Sequence, residues 1–379
     1  MQGLAPQTLI AALSARAGIE PTPSEARKLL GAFLREGQLG GAIGVRRVVH
    51  HAAREHLREG RLEVALHQRS AEDPFEKLLF AGEDGVRFET VRIPLEIAGR
   101  FSVCVSSQVG CAIGCTFCAT GRMGLVRNLA TWEIVEQVRQ VRATLPPGAR
   151  IRGVVFQGMG EPMANLDRVL EAITVLTEPS LYAIDTRAIT VTTSGLPSGI
   201  RRLAKEAPRV RLGLSLGALL PQVRRTLMPI EDKHPLEEVL AAAREHAIHT
   251  GLSPMFAYTL IAGHNDAPAH IERLAEVVRE FHEQTGRRPT LRLIPYNRIG
   301  VDDPYHRQSA AEEARVRAAL RELGAPSKLR YSGGGDIGAA CGQLVTASRR
   351  RDKSHEAQGT SSAPTPGTAS ERPDQLVGT

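Results

Sequence analysis

The chain has 379 residues, 42% of them hydrophobic and 23% charged, enough to bury one large core and carry an appendage. No apolar run approaches the roughly 18 residues that cross a bilayer, and the opening stretch MQGLAPQTLIAALSARAG, with no positive residue ahead of its short apolar segment, reads as a helix rather than a signal peptide. The net charge of +7, with only six lysines among 48 basic residues, suits a polyanion gripped by arginine forks, RNA or DNA; nine Phe and five Tyr argue against a base-stacking platform.

From residue 1 to about 75, apolar residues recur at three- and four-residue steps, as in Leu9 and Leu13, Leu29, Leu30, Phe33 and Leu34, then Val45, Val48, Val49, Ala52 and Leu57, which predicts a small N-terminal helical domain. Its Arg46, Arg47, Arg54, Arg58 and Arg61 either face phosphate or form a solvated helix face. Over 76–100 the sequence predicts a β-hairpin connector turning at Asp84-Gly85, with Glu89 in its second strand.

From 101 to 345 a strand-then-helix rhythm sets in. Strands are expected at 101–107, 152–157, 187–193, 210–216, 254–261 and 290–295, and helices near 131–145, 165–177, 198–206, 235–247, 267–284 and 310–323. Six such units with right-handed crossovers predict an α/β fold, a parallel sheet curved into a partial (β/α)6 barrel whose chemistry lies at the carboxyl ends of the strands. There stand a cysteine loop after the first strand, Gly158 to Glu161 after the second, Thr192 to Gly195 after the third, Ser215 to Gly217 after the fourth and Asn297 after the sixth. Residues 346–379 hold the basic run Arg349-Arg350-Arg351 and a Ser, Thr, Pro and Gly-rich stretch expected to be a disordered tail.

Four of the five cysteines fall between Cys104 and Cys118, in CVSSQVGCAIGCTFC. Cys111, Cys115 and Cys118 form C-x3-C-x2-C, one ligand short of a tetrahedral zinc site; three thiolates instead hold a 4Fe-4S cube with one iron free of protein. A zinc knuckle completed by a histidine is the alternative, and its nearest candidates, His67 and His234, are distant in sequence.

The segments CVSSQVGCAIGCTFCATGRMG, GMGEP at 158–162, TTSG at 192–195, MPI at 228–230, LIPYN at 293–297 and DIGAACGQL at 336–344 together resemble the RlmN/Cfr family of radical S-adenosylmethionine (SAM) RNA methyltransferases, from about Lys77 to Leu344. The resemblance implies a radical SAM barrel, one 4Fe-4S cluster on Cys111, Cys115 and Cys118, and SAM held by Gly160, Glu161, Thr192, Ser215, Leu216, Gly217 and Asn297. It implies that Cys341 accepts a methyl group from a first SAM, that Cys104 later closes a disulfide onto Cys341 to free the product, and that Glu89 accepts a proton. Taken singly, Cys104 and Cys341 read as small buried hydrophobes and Glu89 as a solvated strand residue. A structural Cys104–Cys341 disulfide is a third option that a reducing compartment disfavours.

The activity implied is methylation of carbon 2 of an adenosine in 23S rRNA, and in tRNA as a further target, with Cfr-like methylation of carbon 8 or a non-RNA substrate as alternatives. A cytoplasmic monomer is expected, served by an electron donor such as flavodoxin or ferredoxin and with no membrane partner. The chain departs from the family pattern where SLGA stands for SLHA at Gly217, where Gly333 takes an arginine's place, and over its first 75 residues.

Overall fold

The computed structural model describes residues 1–36, 39 and 43–345. Three helices come first, α1 (Pro6–Ala17), α2 (Pro23–Glu36) and α3 (Arg47–His56). They close on Leu9, Leu13, Leu29, Leu30, Phe33 and Val49, the residues whose spacing announces them. Arg46 is bonded to Glu25 (Nε to Oε1, 2.8 Å) and Arg58 to Glu83 (2.6 Å), so two of the five arginines considered for phosphate are engaged within the protein. Arg47, Arg54 and Arg61 are exposed.

The helical periodicity does not run on to residue 75. Glu63–Arg69 is a strand, β1, which pairs antiparallel with β2 (Glu76–Ala81) and is nearly all exposed, an edge strand whose side chains carry no burial pattern to read. The hairpin to β3 (Arg87–Pro94) turns through Gly85 at φ +78°, as Asp84-Gly85 predicts, and β3 pairs antiparallel with β4 (Arg100–Val105). A two-stranded ribbon of β5 (Gln108–Gly110) and β6 (Leu125–Asn128) follows, with the short α4 (Ala119–Met123) between its strands.

The alternating units then run α5 (Thr131–Ala143), β7 (Arg150–Phe156), α6 (Leu166–Thr177), β8 (Ile189–Thr193), α7 (Pro197–Glu206), β9 (Arg211–Ser215), α8 (Pro221–Leu227), α9 (Leu236–Thr250), β10 (Met255–Leu260), α10 (Pro268–Thr285), β11 (Thr290–Pro295), α11 (Ala310–Glu322) and β12 (Ser327–Leu329). The large sheet has ten strands in the order β1-β2-β3-β4-β7-β8-β9-β10-β11-β12. From β4 onward its pairings are parallel, as the βα rhythm requires, and its two ends are not joined, so the barrel is partial. All six expected strands and six expected helices are present; α8 and β12, seven and three residues long, are additions. Local signals set the ends: Ser309 Oγ accepts from Glu312 N while Glu312 Oε2 accepts from Ser309 N at 2.8 Å, a capping box at the start of α11. The expected tail and the Arg349–Arg351 run lie outside the described residues, and no helix among those described is long and apolar enough to cross a membrane.

The strand-end loops are tied together by one buried arginine. Arg224 of α8 has no solvent exposure; its Nε donates to Leu216 O at 3.1 Å, its Nη2 to Ser194 O at 3.1 Å and its Nη1 to the Glu231 carboxylate. Arg224→Met strands Glu231 as a buried charge and is expected to lower unfolding free energy by ~3–5 kcal/mol in denaturant titration; an unchanged midpoint would show that the pair carries no such strain.

Candidate active site

The cysteine loop leaves β4 and is braced against the loop after β7. Ser107 N donates to Met159 O at 2.9 Å, and Gln108 Oε1 accepts from Glu161 N at 2.8 Å. At Gly110, φ +74°, a Cβ would stand 1.8 Å from Gly124 O, so the ribbon that begins and ends this loop closes only on glycine. Further along, Thr116 N donates to Leu227 O at 2.9 Å and the Thr116 hydroxyl meets Tyr305 Oη at 2.7 Å. Ile113, Phe117, Met228, Ile261, Tyr296 and Tyr305 form an apolar shell packed around Cys111 and Cys115.

All five cysteines line a single cavity, of about 180 Å³ available to the centres of water molecules, together with Gly160, Glu161, Thr192 and Ser215. Each is a free thiol, so the Cys104–Cys341 disulfide is not formed. Burial pushes Cys111 up to about 12 and raises Cys115 and Cys118, each raised further by its sulfur neighbours. Opposing this, the Ile113 N–H bonds Cys111, the Ser194 hydroxyl bonds Cys115, and the Gly121 and Thr120 N–H groups bond Cys118. Thiols this desolvated are poor proton donors on their own and good anionic ligands once a cation compensates them. Among the described residues no three His, Cys, Asp or Glu side chains converge on one point as a single ion requires. Three thiols around one shared cavity, each with its own hydrogen-bond donors, fit a larger multi-iron group better than zinc.

Above the thiols, Glu161 is buried and its carboxylate accepts from Met163 N at 3.0 Å and Ser194 N at 2.8 Å. Burial raises its pKa against the pull of those donors. The Thr192 hydroxyl is buried in the cavity wall with no partner in the protein, a donor and acceptor left for a ligand. Leu216, Gly217 and Asn297 stand behind the wall. Gly217, at φ +68° with a would-be Cβ 2.1 Å from Met228 Sδ, admits no side chain, which accounts for SLGA in this chain. Its carbonyl accepts from Asn265 Nδ2 at 2.7 Å. Asn297 Nδ2 donates to Ser332 Oγ at 2.9 Å and to Cys341 O at 3.1 Å, so it holds the segment that carries the fifth sulfur.

That segment is pinned on several sides. Gly342 O accepts from Ala119 N at 2.8 Å and Leu344 O from Thr120 Oγ1 at 2.7 Å, tying Cys341 to the cysteine loop. Asp336 accepts from Ser70 Oγ and Ala71 N, and Asp73 from Gly334 N and Tyr331 Oη. Gly333 is packed so closely that a Cβ would stand 2.4 Å from the Phe75 ring. Cys104 shares the cavity with Cys341; burial and that neighbouring sulfur push its thiol up to about 12, with Arg330 and the Gln157 N–H opposing. Glu89 is not a solvated strand residue: it is buried and paired with Lys77 at 2.8 Å, beside rather than in the cavity wall. Sequence reading missed Lys77, Gln157 and Arg330, none of which belongs to a motif, and it passed over Ser194 although TTSG contains it.

The chain matches the radical SAM superfamily model over residues 105–278. It is 54% identical to a probable RNA methyltransferase of Sorangium cellulosum, covering 88% of this chain and 90% of that one. It is 42% identical to a dual-specificity RNA methyltransferase RlmN of Syntrophobacter fumaroxidans, over 74% and 79% of the two chains. Among solved structures, a radical SAM methyltransferase from Sphaerobacter thermophilus superposes with a TM-score of 0.79 at 35% identity, covering 91% of this chain and 98% of that one. The cysteine loop, the strand-end loops and these relatives together place the chain in the RlmN/Cfr family of radical SAM RNA methyltransferases, SAM-dependent enzymes that carry one 4Fe-4S cluster.

Proposed function

We propose that this enzyme methylates carbon 2 of an adenosine in 23S rRNA, with tRNA as a further target, by way of a methyl group carried on Cys341. The observation that carries the reading is the gathering of Cys104 and Cys341, free thiols far apart in sequence, into the cavity that the three cluster cysteines line. The cluster would be held by Cys111, Cys115 and Cys118, and SAM by Gly160, Glu161, Thr192 and Ser215 in the wall, with Leu216, Gly217 and Asn297 supporting them from behind. With SAM bound, the cluster supplies a 5′-deoxyadenosyl radical once a flavodoxin or ferredoxin has delivered an electron.

Carbon 2 lies between two ring nitrogens and is too electron-poor to attack a methyl cation donor, so a carbon delivered from sulfur answers the chemical problem. Cys341 holds that carbon against the adenine ring. Glu89 accepts the ring proton. Once the adduct has given up the single electron left by radical addition, which would return to the cluster, the Cys104 thiolate attacks the Cys341 sulfur, the carbon–sulfur bonding pair goes to the carbon, that carbon takes up a proton to become the methyl group, and a disulfide remains for an external thiol to reduce. Arg330, which lines the cavity and donates to Gln157 Oε1 at 2.5 Å, favours the Cys104 thiolate by its charge.

Four measurements test this. Cys104→Ala should trap an RNA–protein adduct at Cys341, and absence of an adduct with four irons still bound would exclude the methylene route. In the unaltered enzyme the adduct should decay faster as pH rises, ~tenfold per unit around neutrality, because the attacking group is a thiolate held far from its ionised form. Thr192→Val should weaken SAM binding ~5–10-fold, one hydrogen bond's worth, with little change in stability because the hydroxyl has no protein partner to lose. The target itself is read by mass spectrometry of RNA from cells with and without the gene: loss of 2-methyladenosine supports the proposal, and loss of 8-methyladenosine replaces it with a Cfr-like activity.

A further inference from the structure

Lys77 and Glu89 form an ion pair in the interior, 5% and 2% exposed, with Nζ 2.8 Å from Oε1. Lysine is among the residues least often buried, and a scaffold alone would be served by an apolar pair. In the register of β2 and β3, Lys77 stands opposite Val91 and Leu79 opposite Glu89, so the pair spans a diagonal on one face of the hairpin. Val91 on that face lines the cavity and lies opposite Cys104 of β4. The pair therefore shares a sheet face with the resolving thiol, beside the cavity wall.

Both partners also grip the segment that bears Cys341. Lys77 Nζ lies 3.4 Å from Gly338 O, three residues before the sulfur, and Glu89 Oε2 accepts from Val345 N at 2.8 Å, four residues after it. The Glu89 carbonyl takes the Ser106 hydroxyl at 2.5 Å, fixing the strand at the root of the cysteine loop. One carboxylate is thus held in register with the methyl carrier, by an ammonium that has no other acid facing it among the described contacts.

We propose that Lys77 is a positioning residue for the RNA half of the reaction: its ammonium keeps Glu89 charged and aligned beside the Cys341 segment. The inference rests on Glu89 being the proton acceptor. When the Cys341 carbon has bonded to the ring and the adduct has lost its unpaired electron, which would return to the cluster, the ring C–H proton passes to a Glu89 oxygen and its bonding pair stays in the ring; Lys77 exchanges no proton and only compensates the carboxylate before transfer. The first half-reaction, transfer of a methyl from SAM to Cys341, needs neither residue.

The test uses anaerobically reconstituted full-length enzyme, SAM, a chemical reductant and total RNA from cells lacking the gene. Lys77→Met should slow RNA methylation by ~100-fold or more, the range a lost general base covers. Methyl on the Cys341 peptide should form at the normal rate, and an RNA–protein adduct should persist although Cys104 is present. Lys77→Arg, which keeps the charge, should restore part of the rate. In a Glu89→Gln background, Lys77→Met should cost nothing more, since both changes remove one function; this pair also relieves the lone buried charge should the single variant fold poorly. Full RNA activity in Lys77→Met, equal loss of both half-reactions, or multiplied effects in the double variant would each overturn the proposal. Full activity in Glu89→Gln would instead overturn the assignment of Glu89 itself.

Discussion

The structure depends on gathering five sulfur atoms around one cavity, four of them desolvated by the protein that surrounds them. Desolvation raises the cluster thiols, so anionic sulfur there is stable only against a compensating cation or a set of hydrogen-bond donors. The chain supplies the donors from three separate places: the Ile113 N–H of the cysteine loop itself, the Ser194 hydroxyl from the rim of β8 and the Thr120 and Gly121 N–H groups of α4. Each donor has an anchor of its own. Ser194 O is held by Arg224, and Thr120 is held by the carbonyl of Leu344. An anchor lost at one point therefore loosens both a ligand and a segment that faces it.

The same economy governs Cys341. It lies beyond the last parallel strand, on a segment with almost no regular structure, yet the proposed role requires its sulfur to be placed to within a bond length. Order comes from cross-links rather than from helix or sheet: Asn297 and Ser332 hold Cys341 itself, the cysteine loop holds Gly342 and Leu344, and the residues around the β1–β2 turn hold Gly334 and Asp336. The edge strand β1 earns a functional meaning from this, since the turn it shares with β2 carries Ser70, Ala71 and Asp73. The departures from the family pattern are local packing solutions of the same kind. Gly333 makes room for Phe75, and Gly217 for Met228.

Much of the fold was legible because periodicity is a local property. The strands and helices from 101 to 323 follow from runs of apolar residues bounded by turn residues, and the cysteine triplet stands out by its spacing. β1 escaped because Glu63–Arg69 presents exposed side chains on both faces, so neither alternation nor burial marks it. α8 escaped because seven residues hold too few turns to show a period. Lys77, Gln157 and Arg330 were illegible as site residues: a lysine in a strand and an arginine before a loop are ordinary until something brings them to a cavity.

What the chain's order of residues determined by itself was the set of elements, the alternation that makes the sheet parallel, and the cysteine loop, all of which depend on neighbours within a few turns. What only the tertiary structure decided was which distant groups share that loop's cavity. Cys104 on the first parallel strand and Cys341 past the last become neighbours because the sheet curves around the cavity, and Glu89 becomes a buried, paired carboxylate because the hairpin packs against the Cys341 segment. Burial and charge compensation are properties of that arrangement, and no spacing along the chain encodes them.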